Sequence, residues 1–260
     1  STECRCCSRG SITYSTEAGD SMLKELISLF RSDQPLQEMG KNFAAMLNLT
    51  YEMTIQAGEI FFGGVVSPSD SNSLYQRDIQ VNKLERRIRK QVIAHLSLSG
   101  STPSLPYCLL LVSLVKDVER IGDYAKNLAE VRQYHPLPLP DDEFVAELQA
   151  IREGVEQSFV QSREVFVASD RERALDLIRE GRSLTHRCDM LVARVAASDY
   201  GARDATAVVM GARFYKRIAA HVLNILSSVV MPLHKLDYYD EKELPPEFAD
   251  LEGTADDEDD

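Results

Sequence analysis

Apolar residues recur with the 3.6-residue period of an α-helix in six long segments, and this repetition constrains the fold most strongly. Glycine and proline concentrate between the segments, where helices are expected to end and begin. The apolar–polar alternation typical of strands does not occur. The pattern therefore predicts an all-α protein, with helices at about residues 35–62, 70–98, 106–134, 141–168, 170–199 and 203–238.

The last three segments repeat the first three. When Glu119 is placed on Lys216, Asn127 falls on Asn224 and the apolar positions around them also align. The second and fifth segments align in the same way through their apolar stripes. Self-similarity of this kind is the signature of a duplicated structural unit. We therefore expect two tandem three-helix bundles.

The breaks in the helical pattern predict the limits of these units. A proline-rich stretch separates the bundles and is expected to be a stiff linker. Both ends of the chain lack helical periodicity and are expected to be disordered. The predicted parts are an N-terminal extension at 1–21, a first bundle at 22–134, a linker at 135–140, a second bundle at 141–240 and an acidic tail at 241–260.

Residues 22–30, MLKELISLF, predict a short amphipathic helix at the start of the first bundle. A helix lying on a membrane surface would have a similar apolar face, but its polar face usually carries several lysines or arginines. This segment carries only Lys24 before Arg31. We therefore expect it to dock on the protein's own core, with membrane attachment as the alternative.

The formal net charge of −12 argues against nucleic-acid binding, since phosphates attract basic surfaces. No apolar run approaches the roughly 18–20 residues that a membrane-spanning helix requires. The five cysteines do not form a disulfide pattern, which favours a reducing compartment such as the cytoplasm. Three of them form a CxCC cluster at Cys4, Cys6 and Cys7, but no second ligand pair follows at zinc-site spacing.

Motifs of several enzyme classes are missing. None of the five histidines follows a Glu or Asp by three residues, as a di-iron helical protein would require. No phosphate-binding G-x-x-x-x-G-K-[ST] loop is present, and no serine or cysteine lies in a known nucleophile motif. We therefore expect no catalytic residues and no enzymatic activity.

Two helical segments carry rows of oxygen-bearing side chains beside their apolar stripes. Asp78, Asn82 and Glu85 lie at positions i, i+4 and i+7, while Glu119 and Asp123 lie one helical turn apart. If the two helices are neighbours, the rows face each other along one seam. An all-oxygen set suits hard cations such as Mg²⁺ or Mn²⁺, with iron also acceptable.

A second interpretation of these rows needs no metal. Each row would then be a solvated helix edge whose acids pair with nearby basic side chains, namely Arg86, Arg89, Arg120 or Lys126. The basic run at residues 86–90 likewise has two interpretations, a docking site for an acidic partner or a solvated helix face.

The same residues resemble a known family. The sequences DIQVNKLE at residues 78–85 and ERIGDYAKNLAE at residues 119–130 closely resemble the PhoU family of phosphate-uptake regulators. That family is described by an ERIGD-x-A-x-N-I helix, an upstream D-x-x-x-N-x-x-E element and two repeats of a three-helix bundle. The resemblance covers about residues 35–238.

This resemblance implies a cytoplasmic regulator of phosphate uptake and phosphate-starvation signalling. It implies that the partners are the ATPase of a phosphate ABC transporter and a sensor histidine kinase, and we expect a homodimer. Some family members bind Mg, Mn, Fe or Zn on acidic helix faces. The resemblance thus raises the expectation of a metal site in the N-terminal bundle, formed by Glu119, Asp123, Asp78, Glu85 and Asn82.

The second bundle departs from the family pattern. Lys216 and Ala220 stand at the positions of the two carboxylates, and the upstream acids are also replaced, by Gly181, Thr185 and Cys188. We therefore expect no metal of the family type there. A rebuilt site would have to use His186, Asp189 and His221. The main alternative for the whole protein is a helical adaptor that works without metal.

Overall fold

The structure is a computed structural model that describes residues 34–63, 68–99, 102–136 and 138–231, together with Leu233 and Leu236. All regular structure in these ranges is helical, which confirms the all-α prediction. The predicted helix at 22–30, the N-terminal extension and the acidic tail lie outside the described residues. The helices are α1 (Gln34–Phe62), α2 (Pro68–Ser99), α3 (Leu105–Tyr134), α4 (Glu143–Ala168), α5 (Arg171–Ala196) and α6 (Ala202–Val230), with a 3-10 turn at Thr102–Ser104.

Two aspartates fix the starts of the helices in the second half. The Asp142 carboxylate accepts hydrogen bonds from the backbone N–H groups of Phe144 and Val145, at 2.9 and 3.0 Å. The Asp170 carboxylate accepts one from the N–H of Arg173 at 3.0 Å. These bonds satisfy donors that have no partner within the helix. Helices α4 and α5 therefore begin directly after these residues.

The end of α6 corrects the sequence prediction. The apolar pattern placed this end near residue 238, but the helix ends at Val230. Met231 has extended backbone angles, with φ −102° and ψ 147°. Residue 232 is proline, and the residue before a proline is disfavoured in the helical conformation. A local steric rule therefore overrides an apolar pattern that continues past it.

The helices pack as two sets of three that share a long interface. Helices α1–α3 contact one another, as do α4–α6, while α3 packs along α6 and α1 touches α4. The predicted inward stripe of α3 is buried, and Val118, Ile121 and Ala125 have no exposed surface. Buried apolar residues of all six helices form one contiguous core. Within the described ranges, no helix combines the length and the apolar character needed to cross a membrane.

A glycine lets three of these helices approach closely. A Cβ atom added at Gly211 would lie 2.7 Å from Cζ of Phe61 and 2.9 Å from a methyl carbon of Leu148. Cβ atoms are not found at such distances, so α1, α4 and α6 would have to move apart to admit a side chain. Phe61 itself is completely buried at this junction.

Candidate acidic site

The two predicted rows of polar side chains meet along the seam between α2 and α3. The Lys126 ammonium lies 3.2 Å from a carboxylate oxygen of Asp78 on α2 and 3.2 Å from one of Asp123 on its own helix. The amide of Asn82 is 3.5 Å from the same carboxylate of Asp78. The sequence thus predicted correctly that these side chains share a seam, but the group that joins them is a lysine.

The two glutamates of the predicted set pair with bases on their own helices. Glu119 accepts a hydrogen bond from Lys116 at 2.6 Å and has Arg120 at 3.8 Å. Glu85 pairs with Arg89 at 2.9 Å, one helical turn away. Every carboxylate of the predicted metal set therefore has a basic partner.

Lys126 is held as a charged group at the centre of the seam. Its side chain is 20% exposed, and that of Asp78 is 14% exposed. Burial lowers the pKa of Lys126, but the charges and hydrogen bonds of the two aspartates outweigh this effect and raise the pKa above its usual value. At neutral pH the seam therefore contains an ammonium group with a carboxylate on each side.

In this arrangement the seam does not fit a bound ion. No group of three or more His, Cys, Asp or Glu side chains in the described part of the chain is placed to hold a metal. The ammonium of Lys126 also lies where a cation bridging Asp78 and Asp123 would have to lie. The metal site remains a prediction, and it requires Lys126 to leave the two carboxylates.

The second bundle joins its corresponding helices through another lysine and aspartate. Lys216 on α6 pairs with Asp189 on α5, and Arg213 lies 3.4 Å from the other oxygen of the same carboxylate. Lys216 stands where Glu119 stands in the first repeat, so the charge on the third helix is reversed. Of the three residues considered for a rebuilt site, Asp189 is paired in this bridge and His186 is exposed.

The third of those residues, His221, belongs to a contact between the bundles that the sequence did not reveal. Asp117 on α3 is 7% exposed and accepts hydrogen bonds from Nδ1 of His221 and from the amide of Asn224, both at 2.8 Å. The ring of Tyr124 stacks on the His221 ring, with centroids 5.6 Å apart. A usable signal did exist, because Asp117 interrupts the apolar spacing between Leu114 and residue 121.

Comparison with known proteins shows that part of the first half of the chain is similar to a known domain. Residues 36–131 match the family model of the PhoU domain. This chain contains a PhoU domain. The predicted resemblance to the PhoU family is therefore confirmed for residues 36–131, which include both rows of the acidic seam. The comparison with curated proteins found no match to this chain.

Solved PhoU structures share the fold beyond the PhoU domain. PhoU from Pseudomonas aeruginosa aligns with a TM-score of 0.68 and 18% identity, covering 77% of this chain and 96% of that one. The phosphate transport system regulatory protein PhoU from Streptococcus pneumoniae aligns with a TM-score of 0.65 and 14% identity, covering 74% and 92%. At these identities the likeness establishes the fold alone.

The PhoU domain exposes a row of basic side chains, here called the α2 basic stripe, made up of Lys83, Arg86, Arg87 and Lys90. All four are solvent-exposed and line a shallow depression on α2. None forms an ion pair with another residue in the described ranges, whereas their neighbour Arg89 pairs with Glu85. In a chain with a net charge of −12, this stripe is a local positive surface.

In the second repeat, Cys188 stands at the position that corresponds to Glu85 in the first. We expect its thiol to be unreactive toward alkylating reagents. Cys188 is fully buried, and burial raises the pKa of its thiol to about 12. At pH 8 the reactive thiolate form is therefore roughly a thousand times less populated in Cys188 than in a thiol of ordinary pKa. We expect iodoacetamide to alkylate Cys188 at least about 1,000-fold more slowly in the native chain than in urea, as measured by peptide mass spectrometry. Equal rates would contradict a buried thiol.

Proposed function

We propose that this protein regulates phosphate transport by binding other proteins and catalyses no reaction itself. The PhoU domain at residues 36–131 supports this proposal. The fold is also shared with an S. pneumoniae protein described as a phosphate transport system regulatory protein. We further propose a homodimer in the cytoplasm whose partners are the ATPase of a phosphate ABC transporter and a sensor histidine kinase.

The observation that carries this proposal is the α2 basic stripe within the PhoU domain. Charged groups already paired inside a protein offer little to a partner, whereas exposed unpaired ones attract an opposite charge and accelerate association. The stripe makes no ion pair within the described residues, although the chain as a whole has a net charge of −12. An acidic face on the ATPase or kinase is therefore the surface that we propose it binds.

The test compares two sets of three charge reversals in a host lacking the chromosomal gene. We expect the deletion to raise phosphate-starvation gene expression in phosphate-rich medium and the wild-type gene to restore repression. The stripe variant Arg86→Glu/Arg87→Glu/Lys90→Glu should fail to repress. The matched control reverses three exposed bases that have no ion pair in the described ranges and should repress normally: Lys41→Glu, Arg203→Glu and Arg217→Glu.

Purified proteins give the corresponding binding measurement. The stripe variant should bind the transporter ATPase or the kinase at least about tenfold more weakly, mainly through slower association at low salt. The control variant should bind like the wild type. Unchanged gene expression after deletion would overturn the regulatory proposal, whereas equal loss of binding in both variants would overturn only the role of the stripe.

We also propose that the acidic seam works without a metal, because Lys126 supplies the positive charge between Asp78 and Asp123. Protein purified without chelator should then contain no stoichiometric metal by elemental analysis. Replacement of the ammonium in Lys126→Met should leave Asp78 without a basic partner and Asp123 with Arg120 alone, at 3.3 Å, and should raise the affinity for Mn²⁺ by about tenfold.

The control for this prediction is Lys116→Met, which removes a lysine that pairs with Glu119 and is 44% exposed. We expect Mn²⁺ affinity to stay unchanged in this variant. Stoichiometric Mg, Mn, Fe or Zn in the wild type would overturn the metal-free proposal. It would favour instead the site predicted from the sequence, at Glu119, Asp123, Asp78, Glu85 and Asn82.

A further inference from the structure

An apolar groove of about 730 Å³ opens where the N-terminal half of α1, the start of α3 and the end of α4 meet. Its base is formed by core side chains such as Phe43, Leu47 and Leu111. Aliphatic side chains continue up its wall to the surface, where Val167 is 75% exposed. The groove is large enough for several aliphatic side chains and resembles a ligand pocket in volume.

Contiguous apolar surface of this kind is normally covered in a soluble protein. Val160 at the groove is 36% exposed and Val167 is 75% exposed, so the apolar surface here is more than an isolated residue. Among the described residues, the charged groups that line the groove are Arg163 and Glu164, one of each sign. The groove therefore favours an occupant that is apolar and nearly neutral.

We propose that residues 22–30 of the same chain pack into this groove. The segment lies outside the described residues, and its sequence has the required chemistry. Apolar residues occupy positions 22, 23, 26, 27, 29 and 30, and the only charges are Lys24 and Glu25, again one of each sign. This composition matches both the apolar lining and the single pair of charges at the groove.

The dimensions of the groove and the segment agree. The groove follows α1 from Gly40 to Asn48, a length of about 12 Å at 1.5 Å per helical residue. A nine-residue helix is about 13.5 Å long. The segment can therefore cover the groove along its full length with little excess.

The connection to α1 is also long enough. The segment ends four residues before Gln34, where α1 begins, and four extended residues span up to about 14 Å. The groove begins only about 9 Å further along α1, at Gly40. Attachment through so short a connection gives the segment an effective concentration in the millimolar range at the groove.

The charge of the chain argues against a membrane as the competing site for this segment. An amphipathic helix on an anionic membrane depends on several basic residues, and residues 22–30 contain one. The net charge of −12 adds repulsion between the rest of the chain and an anionic surface.

The first experiment compares the full chain with a chain lacking residues 1–32. Circular dichroism checks that the shortened chain is folded. We expect the shortened chain to melt at a lower temperature and to increase the fluorescence of an apolar dye at least about twofold, because the groove is uncovered. A synthetic peptide of residues 20–33 should reverse both effects. Equal dye binding by the two chains would overturn the proposal.

Point variants test whether the dye binds at the groove or at other apolar surfaces of the protein. Leu26→Asp in the segment and Val167→Arg at the groove rim should each raise dye binding. The matched controls are Ser28→Asp on the polar side of the segment and Ile93→Arg, an exposed apolar residue of α2, which is 65% exposed and does not line the groove. Both controls should leave dye binding unchanged, and an increase with Ile93→Arg would contradict a specific site.

Two further measurements test the alternatives, which are that the segment binds a membrane or that a second copy of the chain covers the groove. Sedimentation with neutral and anionic lipid vesicles that depends on residues 22–30 but not on Val167 would show membrane attachment and overturn the proposal. Analytical ultracentrifugation would reveal a second copy of the chain if Val167→Arg dissociated a dimer while deletion of residues 1–32 did not. The proposal is supported if neither the full chain nor the shortened chain binds vesicles and if Val167→Arg leaves the oligomeric state unchanged.

Discussion

Replacing Asp117 with alanine is expected to lower the free energy of unfolding by about 2–4 kcal/mol. The carboxylate is nearly buried and accepts hydrogen bonds from His221 and Asn224 on the opposite bundle. Its removal leaves two donors facing an apolar interface between α3 and α6 with no acceptor. Urea denaturation followed by circular dichroism measures the loss.

Asp189→Ala is the matched control for this prediction. Asp189 also pairs with two groups of α6, Lys216 and Arg213, but its side chain is 46% exposed. Water replaces the lost partners of an exposed pair, so we expect a change of about 0–1 kcal/mol. Equal losses for the two aspartates would show that burial does not set the strength of the Asp117 contact.

Phe61→Ala should cost about 3–5 kcal/mol, the usual range for removing a fully buried aromatic ring. Phe61 fills the junction of α1, α4 and α6 and has no exposed surface. Its neighbour Phe62 is only half-buried, with the Arg152 guanidinium 5.5 Å from its ring. Phe62→Ala should therefore give a clearly smaller loss in the same denaturation measurement.

A second substitution tests the geometry of this junction directly. In the native chain, a methyl group at Gly211 would meet the Phe61 ring at 2.7 Å, so Gly211→Ala should destabilise. In the Phe61→Ala background the ring is gone and the Leu148 side chain, 2.9 Å from the added methyl group, has room to shift, so Gly211→Ala should cost clearly less than in the native chain. Additive effects of the two substitutions would contradict the close contact.

The sequence predicted the helices and the seam because both depend on periodic patterns. Apolar spacing places Val118 and Ile121 in the core, and the same helical geometry places Asp123 beside them at the edge facing α2. Family resemblance added the pairing of this edge with Asp78. These features can be predicted from the residue pattern within each helix and from the order of the helices along the chain.

The sequence did not predict the contacts that depend on how one helix lies against another. Lys126 was one of several bases near the acids, and only the distance between α2 and α3 brings it between two aspartates. The contact of Asp117 likewise depends on the position of α6, which places His221 against it. The end of α6 was missed for another reason, since the rule for the residue before Pro232 was available in the sequence.

The interface between α3 and α6 makes the folding unit larger than the region matched by the PhoU family model. That match ends at residue 131, within α3, and so leaves out α6, which packs along α3 from the other bundle. A fragment cut at this boundary would turn a buried face toward water and leave Asp117 with neither of its partners. The repeat in the sequence reflects the duplication of a three-helix unit. Because each copy buries a face against the other, we expect the two copies to fold only as one unit.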